Sequence, residues 1–192
     1  MTKQQTIITI SAAIAISMLI CTIIIIIFYK QMKQSIKGTL GKSFFTIEEL
    51  SESNTAKQKG INNSPPEDVK IRMQALIDNV LDPARKEYGS FIRVNSGYRS
   101  PALNTAVGGA KNSQHLTGEA ADITTGSIEK DKLLFRILVQ QGNFDQLIWE
   151  KPKNTLWIHV SYNASGRNRG QILSYNGKQY TNINNNWETA IA

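Results

Sequence analysis

The 192-residue chain contains two histidines, and both sit where a side chain can do chemistry. His115 lies in Ser113-Gln114-His115-Leu116-Thr117-Gly118-Glu119-Ala120-Ala121-Asp122, and His159 lies in Trp157-Ile158-His159-Val160. A neutral imidazole and a carboxylate are both good zinc donors, and a hydrolytic zinc centre needs three protein ligands with one position left for water. His115 and Asp122 are seven residues apart, with Gly118 between them to let the chain turn. A strand over residues 156–161 would carry His159 on one face with Trp157 and Ser161, while Ile158 and Val160 face the other way. Each residue alone has a plainer reading. A histidine on a strand is commonly a surface or hydrogen-bonded core group, and Asp122 could cap the turn at Thr124-Thr125-Gly126. The combination of both imidazoles, an intervening acid and a glycine-rich approach is what points to a metal.

The elements that must position these groups follow from the pattern. Ser64-Pro65-Pro66-Glu67 reads as a helix start with Ser64 as N-cap, Pro65 in the first turn and Glu67 completing a capping box. Val69, Met73, Leu76 and Val80 recur at helical spacing, and Asp82-Pro83 should kink or restart that helix. Residues 91–95 read as a strand. Residues 129–141 read as a second helix, with Leu134, Ile137, Leu138 and Gln141 on one face and Gly142 just past its end. Residues 147–149 and 156–161 read as strands. Residues 171–175 and 178–181 flank Asn176-Gly177, a type I′ hairpin signal. The expected fold class is α+β, a small antiparallel sheet with flanking helices. Asn182 to Asn186 reads as the start of a polar tail, 182–192, that need not pack.

Ahead of this domain, residues 4–29 carry no charged side chain, and residues 7–28 would span about 33 Å as a helix, enough for a hydrocarbon core of about 30 Å. A transmembrane helix within residues 1–30 is expected, followed by a polar tether over 31–43 and a globular domain over 44–181. A cleaved leader fits less well, because the small residues Ala12, Ala13 and Ala15 lie mid-segment. Leu19-Ile20-Cys21 is only a faint lipoprotein signal, since the apolar run continues past it. Lys30, Lys33, Lys37 and Lys42 follow the apolar segment, which by charge alone puts the C-terminal domain in the cytoplasm. The single cysteine excludes an internal disulfide framework and any cysteine-rich zinc module. The net charge of +7 is scattered, and without basic residues clustered among stacking aromatics there is no nucleic-acid site to read.

Ser96-Gly97-Tyr98-Arg99-Ser100-Pro101, then Asn104, Val107-Gly108-Gly109, His115-x-x-Gly118-x-Ala120-x-Asp122 and Trp157-x-His159 together resemble the zinc D-alanyl-D-alanine metallopeptidases. These are VanX-like carboxypeptidases and phage endolysin relatives with the Hedgehog/DD-peptidase fold, in which the domain of the compact subgroup opens with a segment like Phe45-Thr46-Ile47-Glu48-Glu49-Leu50. The resemblance runs from about residue 44 to the hairpin near Tyr180.

It implies that His115, Asp122 and His159 hold zinc, and that Arg99 lies over the site to stabilise an oxyanion or hold a substrate carboxylate. It also implies that Ser113, Gln114 and Tyr98 meet the substrate, a peptidoglycan stem peptide. Many relatives carry an acid three residues before the last histidine, where this chain has Leu156. The best remaining general base is Glu150, brought in if its strand pairs with that of His159, with Trp149 raising its pKa; Asp145 and Glu119 are weaker candidates. A membrane anchor through residues 7–28 and a substrate in the wall argue for an extracytoplasmic domain, against the lysine count. The alternative reading is a non-catalytic, zinc-containing wall-binding or phage-structural module of the same fold.

Overall fold

The computed structural model describes residues 18, 21–27, 43–153, 155–164 and 166–192. The chain divides into two units, residues 1–42 and 43–192. In the first, Met18 and residues 21–27 are helical and exposed; the other residues of the expected span over 7–28, and the tether before Ser43, lie outside the described residues. Among the described residues no helix is long and apolar enough to cross a membrane.

The second unit runs α1 (Ile47–Ser51), α2 (Asn54–Lys59), α3 (Glu67–Leu76), a π-turn (Ile77–Leu81), α4 (Asp82–Tyr88), β1 (Arg93–Ser96) and α5 (Pro101–Ala106). It continues with a 3-10 turn (Gln114–Thr117), β2 (Ala120–Thr124), α6 (Ile128–Gln141), β3 (Gln146–Glu150), β4 (Trp157–Ser161), β5 (Gln171–Tyr175), β6 (Tyr180–Asn182) and α7 (Trp187–Ala190). One six-stranded sheet has the order β1-β2-β4-β3-β5-β6. Its inward face contributes Ala121, Ile123, Leu147, Trp149, Ile158, Val160 and Ile172, which join Met73, Leu76, Ile77, Leu134, Phe135 and Leu138 in one core. Alternation along each strand therefore sends Asp122, Ile148, Glu150, Trp157 and His159 to the opposite face.

The expected antiparallel sheet is instead mixed, because β3 and β5 pair in parallel. The cause lies at their starts. Gly170 N–H donates to Phe144 O and Gln171 N–H to Asp145 O, while Arg169 grips the Asp145 carboxylate. These bonds pin the beginning of β5 beside the beginning of β3, so the two strands run the same way.

Other expectations shift for local reasons. Ser64 is not the N-cap: the helix starts after Pro66, which has no side-chain cap bond, since a residue before proline is driven to extended backbone. The restart at Asp82-Pro83 occurs through the π-turn. Pro83 has no N–H for the Asn79 carbonyl, and Asn143 Nδ2 donates to that carbonyl at 3.0 Å. The hairpin after β5 is not type I′, which would need positive φ at both Asn176 and Gly177; only Gly177 has it. Tyr175 pairs with Tyr180 across a four-residue loop, in which Asn176 Oδ1 accepts from the N–H groups of Lys178 and Gln179. The expected polar tail packs: Ile183 and Ile191 are buried, and the Asn184 side chain bonds Ile172 N and Gly170 O.

Candidate active site

The sheet register assembles one row of side chains on the outward face. Ser96 pairs with Asp122, Asp122 with His159, His159 with Ile148, and Ile148 with Leu173. Asp122 and His159 are thus direct cross-strand neighbours, with His159 Nδ1 2.9 Å from Asp122 Oδ1. His115 arrives from the 3-10 turn. Ser113 caps that turn by accepting from His115 N–H, and Gly118 closes it at φ 74°. His115 Nε2 lies 3.2 Å from Asp122 Oδ1 and 3.3 Å from His159 Nδ1. All three side chains are buried.

The tautomer of His115 is set by chemistry. Its Nδ1 is 2.6 Å from Gly97 O; a carbonyl only accepts, so Nδ1 carries the proton and Nε2 presents a lone pair. Burial pushes the His115 imidazole below its usual pKa despite the opposing charge of Asp122. Burial works against an ionised Asp122, but the imidazoles of His115 and His159 hold its carboxyl well below the ordinary carboxylate range. A lone pair, a carboxylate oxygen and a second ring nitrogen thus converge on one point, and these three ligand atoms lie within 4.8 Å of one another. Ligands at about 2.0–2.1 Å from one tetrahedral ion sit about 3.3 Å apart, so the donor set fits zinc.

The trio opens on a cleft of about 590 Å³, lined among others by Arg99, Ser113, Gln114, Glu150, Trp157 and Tyr180. A smaller pocket of about 250 Å³, lined by Trp149, Ser174 and Ala192, holds none of the trio. Glu150 pairs with Trp157 across β3 and β4, as expected if the two strands meet. Its carboxyl is pushed up to about 7 by burial first and the negative charge of Asp122 second, against His159, Arg99 and the Trp157 indole. The expected role of Trp149 is not seen: it alternates to the core face and packs on Phe135.

Arg99 lies at the site, but its contacts differ from the expectation. Nη2 donates to Asp122 Oδ2 at 2.5 Å and Nε to Ser96 Oγ at 2.8 Å, so part of the guanidinium orients the carboxylate. Tyr98, expected to meet the substrate, turns away from the cleft. It is 6% exposed within the core cluster and does not line the cleft, because the residue between Gly97 and Arg99 must face inward when its neighbours face the site. Asp145 is also removed as a base: Arg169 and Gln114 saturate it, and the hydrogen bond from Arg169 lowers its pKa. Glu119 is tied to the Thr117 hydroxyl.

Sequence reasoning missed Asn63 and Arg169. Asn63 Nδ2 donates to Ser51 O and Tyr98 O, and its Oδ1 accepts from Ser100 N–H. It fastens the Gly97-Tyr98-Arg99 segment from a loop 35 residues upstream, and no local signal in Ile61-Asn62-Asn63 announces that.

Fold and site together define a metallopeptidase-like α+β domain. Residues 43–161, more than half of the chain, match the peptidase M15 family, to which this chain belongs. The zinc D-Ala-D-Ala carboxypeptidase of Streptomyces albus G is 56% identical over 36 residues, 19% of this chain and 14% of that protein. The chain thus matches about a seventh of that relative's length.

Proposed function

We propose that the protein is a zinc-dependent peptidase acting on D-alanyl, or similar, peptide bonds in peptidoglycan stem peptides. The observation that carries this reading is the buried His115–Asp122–His159 trio sharing one cleft with a carboxyl, Glu150, whose pKa is raised to about 7. Family membership and the activity of the Streptomyces albus G relative support the substrate class.

His115 Nε2, Asp122 Oδ1 and His159 Nδ1 would hold the ion. Bound there, zinc supplies Lewis acidity, acidifying water toward neutral pH and polarising a carbonyl. Asp122 stays ionised, its second oxygen held by Arg99. Glu150 takes the proton of the attacking water and returns it to the leaving amine nitrogen, as one C–O bond forms and the C–N bond breaks; a pKa near neutrality suits both transfers. Arg99 lines the cleft, where its remaining N–H groups would stabilise charge developing on the carbonyl oxygen, and Ser113 and Gln114 line the peptide's approach. Leu156, at the position where many relatives carry an acid, favours the non-catalytic module; Glu150, ionisable and in the same cleft, supplies that missing group.

The membrane anchor over residues 7–28 and an extracytoplasmic domain belong to the same proposal, because the substrate lies in the wall. A reporter fused after Ala192 tests the side. Mass spectrometry of digested muropeptides tests the chemistry. Released D-alanine marks a carboxypeptidase and a new amino group within a cross-link an endopeptidase, whereas unchanged muropeptides with zinc-loaded protein overturn the reading.

A further inference from the structure

We propose that Gln114 reads a peptide N–H of the substrate through its Oε1, and that Arg169 and Asp145 are positioning residues that fix which end of the Gln114 amide the cleft presents. This inference rests on the peptidase reading above and deepens it by naming a recognition element.

A glutamine amide has nearly the same shape either way round, so a site that uses one end must hold the other. Asp145 does so. It is 3% exposed and accepts from Arg169 backbone N at 3.0 Å, Nε at 3.0 and 3.1 Å, and Nη2 at 2.5 Å. Its Oδ2 also accepts from Gln114 Nε2 at 2.9 Å. Arg169 keeps this carboxylate ionised, and an ionised carboxylate can only accept. Nε2 is therefore committed to Asp145, and among the described residues no donor reaches Oε1.

The backbone beneath is equally fixed. Gln114 O accepts from Glu119 N–H and from the Thr117 hydroxyl, and His115, the next residue, is anchored to Gly97. Gln114 lines the cleft beside the metal-ligand trio. The cleft thus carries an immobilised acceptor next to the centre, matched to a donor. In a peptide substrate that donor is a backbone N–H flanking the scissile bond.

The Arg169–Asp145 pair also starts β5 beside β3, so the test must separate recognition from folding. The full-length protein in detergent is assayed on a synthetic stem peptide, with zinc content and thermal unfolding measured in parallel. Gln114→Met keeps length and removes both amide ends. In Asp145→Asn, Oδ1 can keep the Arg169 backbone N–H and Nε, while Nδ2 in place of Oδ2 gives up the Arg169 Nη2 bond and meets Gln114 with a donor, which turns the amide around. Each variant is expected to raise KM roughly 3- to 10-fold, the loss of one hydrogen bond, with kcat and zinc content held. The double variant should be no worse than the worse single one.

A series of depsipeptides, each with one ester in place of an amide N–H, should cost the wild type the same factor at one position and cost Gln114→Met nothing there. This arm stands even if Asp145→Asn fails to fold. Effects on kcat as large as on KM, or an active wild type indifferent to every ester, overturn the inference alone. A wild type that cleaves no stem peptide overturns the peptidase reading and this inference with it.

Discussion

Gly97→Ala probes the link between the core and the metal-ligand trio with a single carbon atom. An ideal Cβ at Gly97 would lie 2.2 Å from Leu50 O and 2.9 Å from Leu50 C and Cα. All three are backbone atoms, so no rotamer relieves the overlap. Ordinary contact begins at 3.4 Å, and the two segments must separate by about 1.2 Å. They are held together by Tyr98 N–H to Leu50 O at 2.7 Å, while Gly97 O accepts from His115 Nδ1–H at 2.6 Å on the other side. If the Gly97 segment yields, His115 loses the acceptor that fixes its tautomer and ring, and such outer partners are worth about 10–100-fold in metal affinity. If α1 yields, Leu50, fully buried, is displaced from the core, an overpacking cost of about 1–3 kcal/mol. Competition titration against a chromophoric zinc chelator measures the first, and denaturant unfolding of metal-free protein the second. An alanine variant with unchanged zinc affinity and an unchanged unfolding midpoint would refute the reasoning.

Glu150→Gln should lower kcat about 10²–10⁴-fold while retaining zinc. The base must be ionised, so wild-type kcat/KM should fall with decreasing pH, with a midpoint at or below about 7 because the ion's charge favours the carboxylate; pH–rate profiles check this, and the variant should lose the limb. In metal-free protein, Glu150 contributes stability that is full below its unfolded value of 4.5 and lost as pH rises through about 7. His115 and Asp122, held low, contribute stability present above 6.5 and 3.8 respectively and lost as pH falls. Metal-free Glu150→Gln should therefore gain stability over wild type at about pH 8 and none at about pH 4, read by urea unfolding. Asp131 is 2% exposed and accepts from the Thr124 hydroxyl and from the Thr125 N–H and hydroxyl; Asp131→Ala should cost about 2–4 kcal/mol by loosening the end of β2, again measured in urea.

Several features of the molecule were legible locally. Period-two alternation through Trp157-Ile158-His159-Val160 separates a ligand face from a core face whatever the strand pairs with, and Gly142 ends α6 at φ 64° as its place after the apolar run demands. The pairing that brings Glu150 beside Trp157 was also readable, because the short 151–156 connection leaves the two strands little choice but to fold back on each other. The family resemblance implies Arg99 near the centre, but that it holds Asp122 Oδ2 is decided across 23 residues by the register of β1 on β2.

What the sequence alone determined is the chemical inventory and which residues share a face, because both follow from side-chain identity and from backbone repeat lengths of two or 3.6 residues. Only the tertiary structure decided the parallel seating of β5, the inward turn of Tyr98, the packing of Ile183 and Ile191, and the use of Asp145 as a clamp instead of a base. Each of these depends on a partner more than ten residues away, selected by the packing of the whole domain, and no local repeat encodes such a choice.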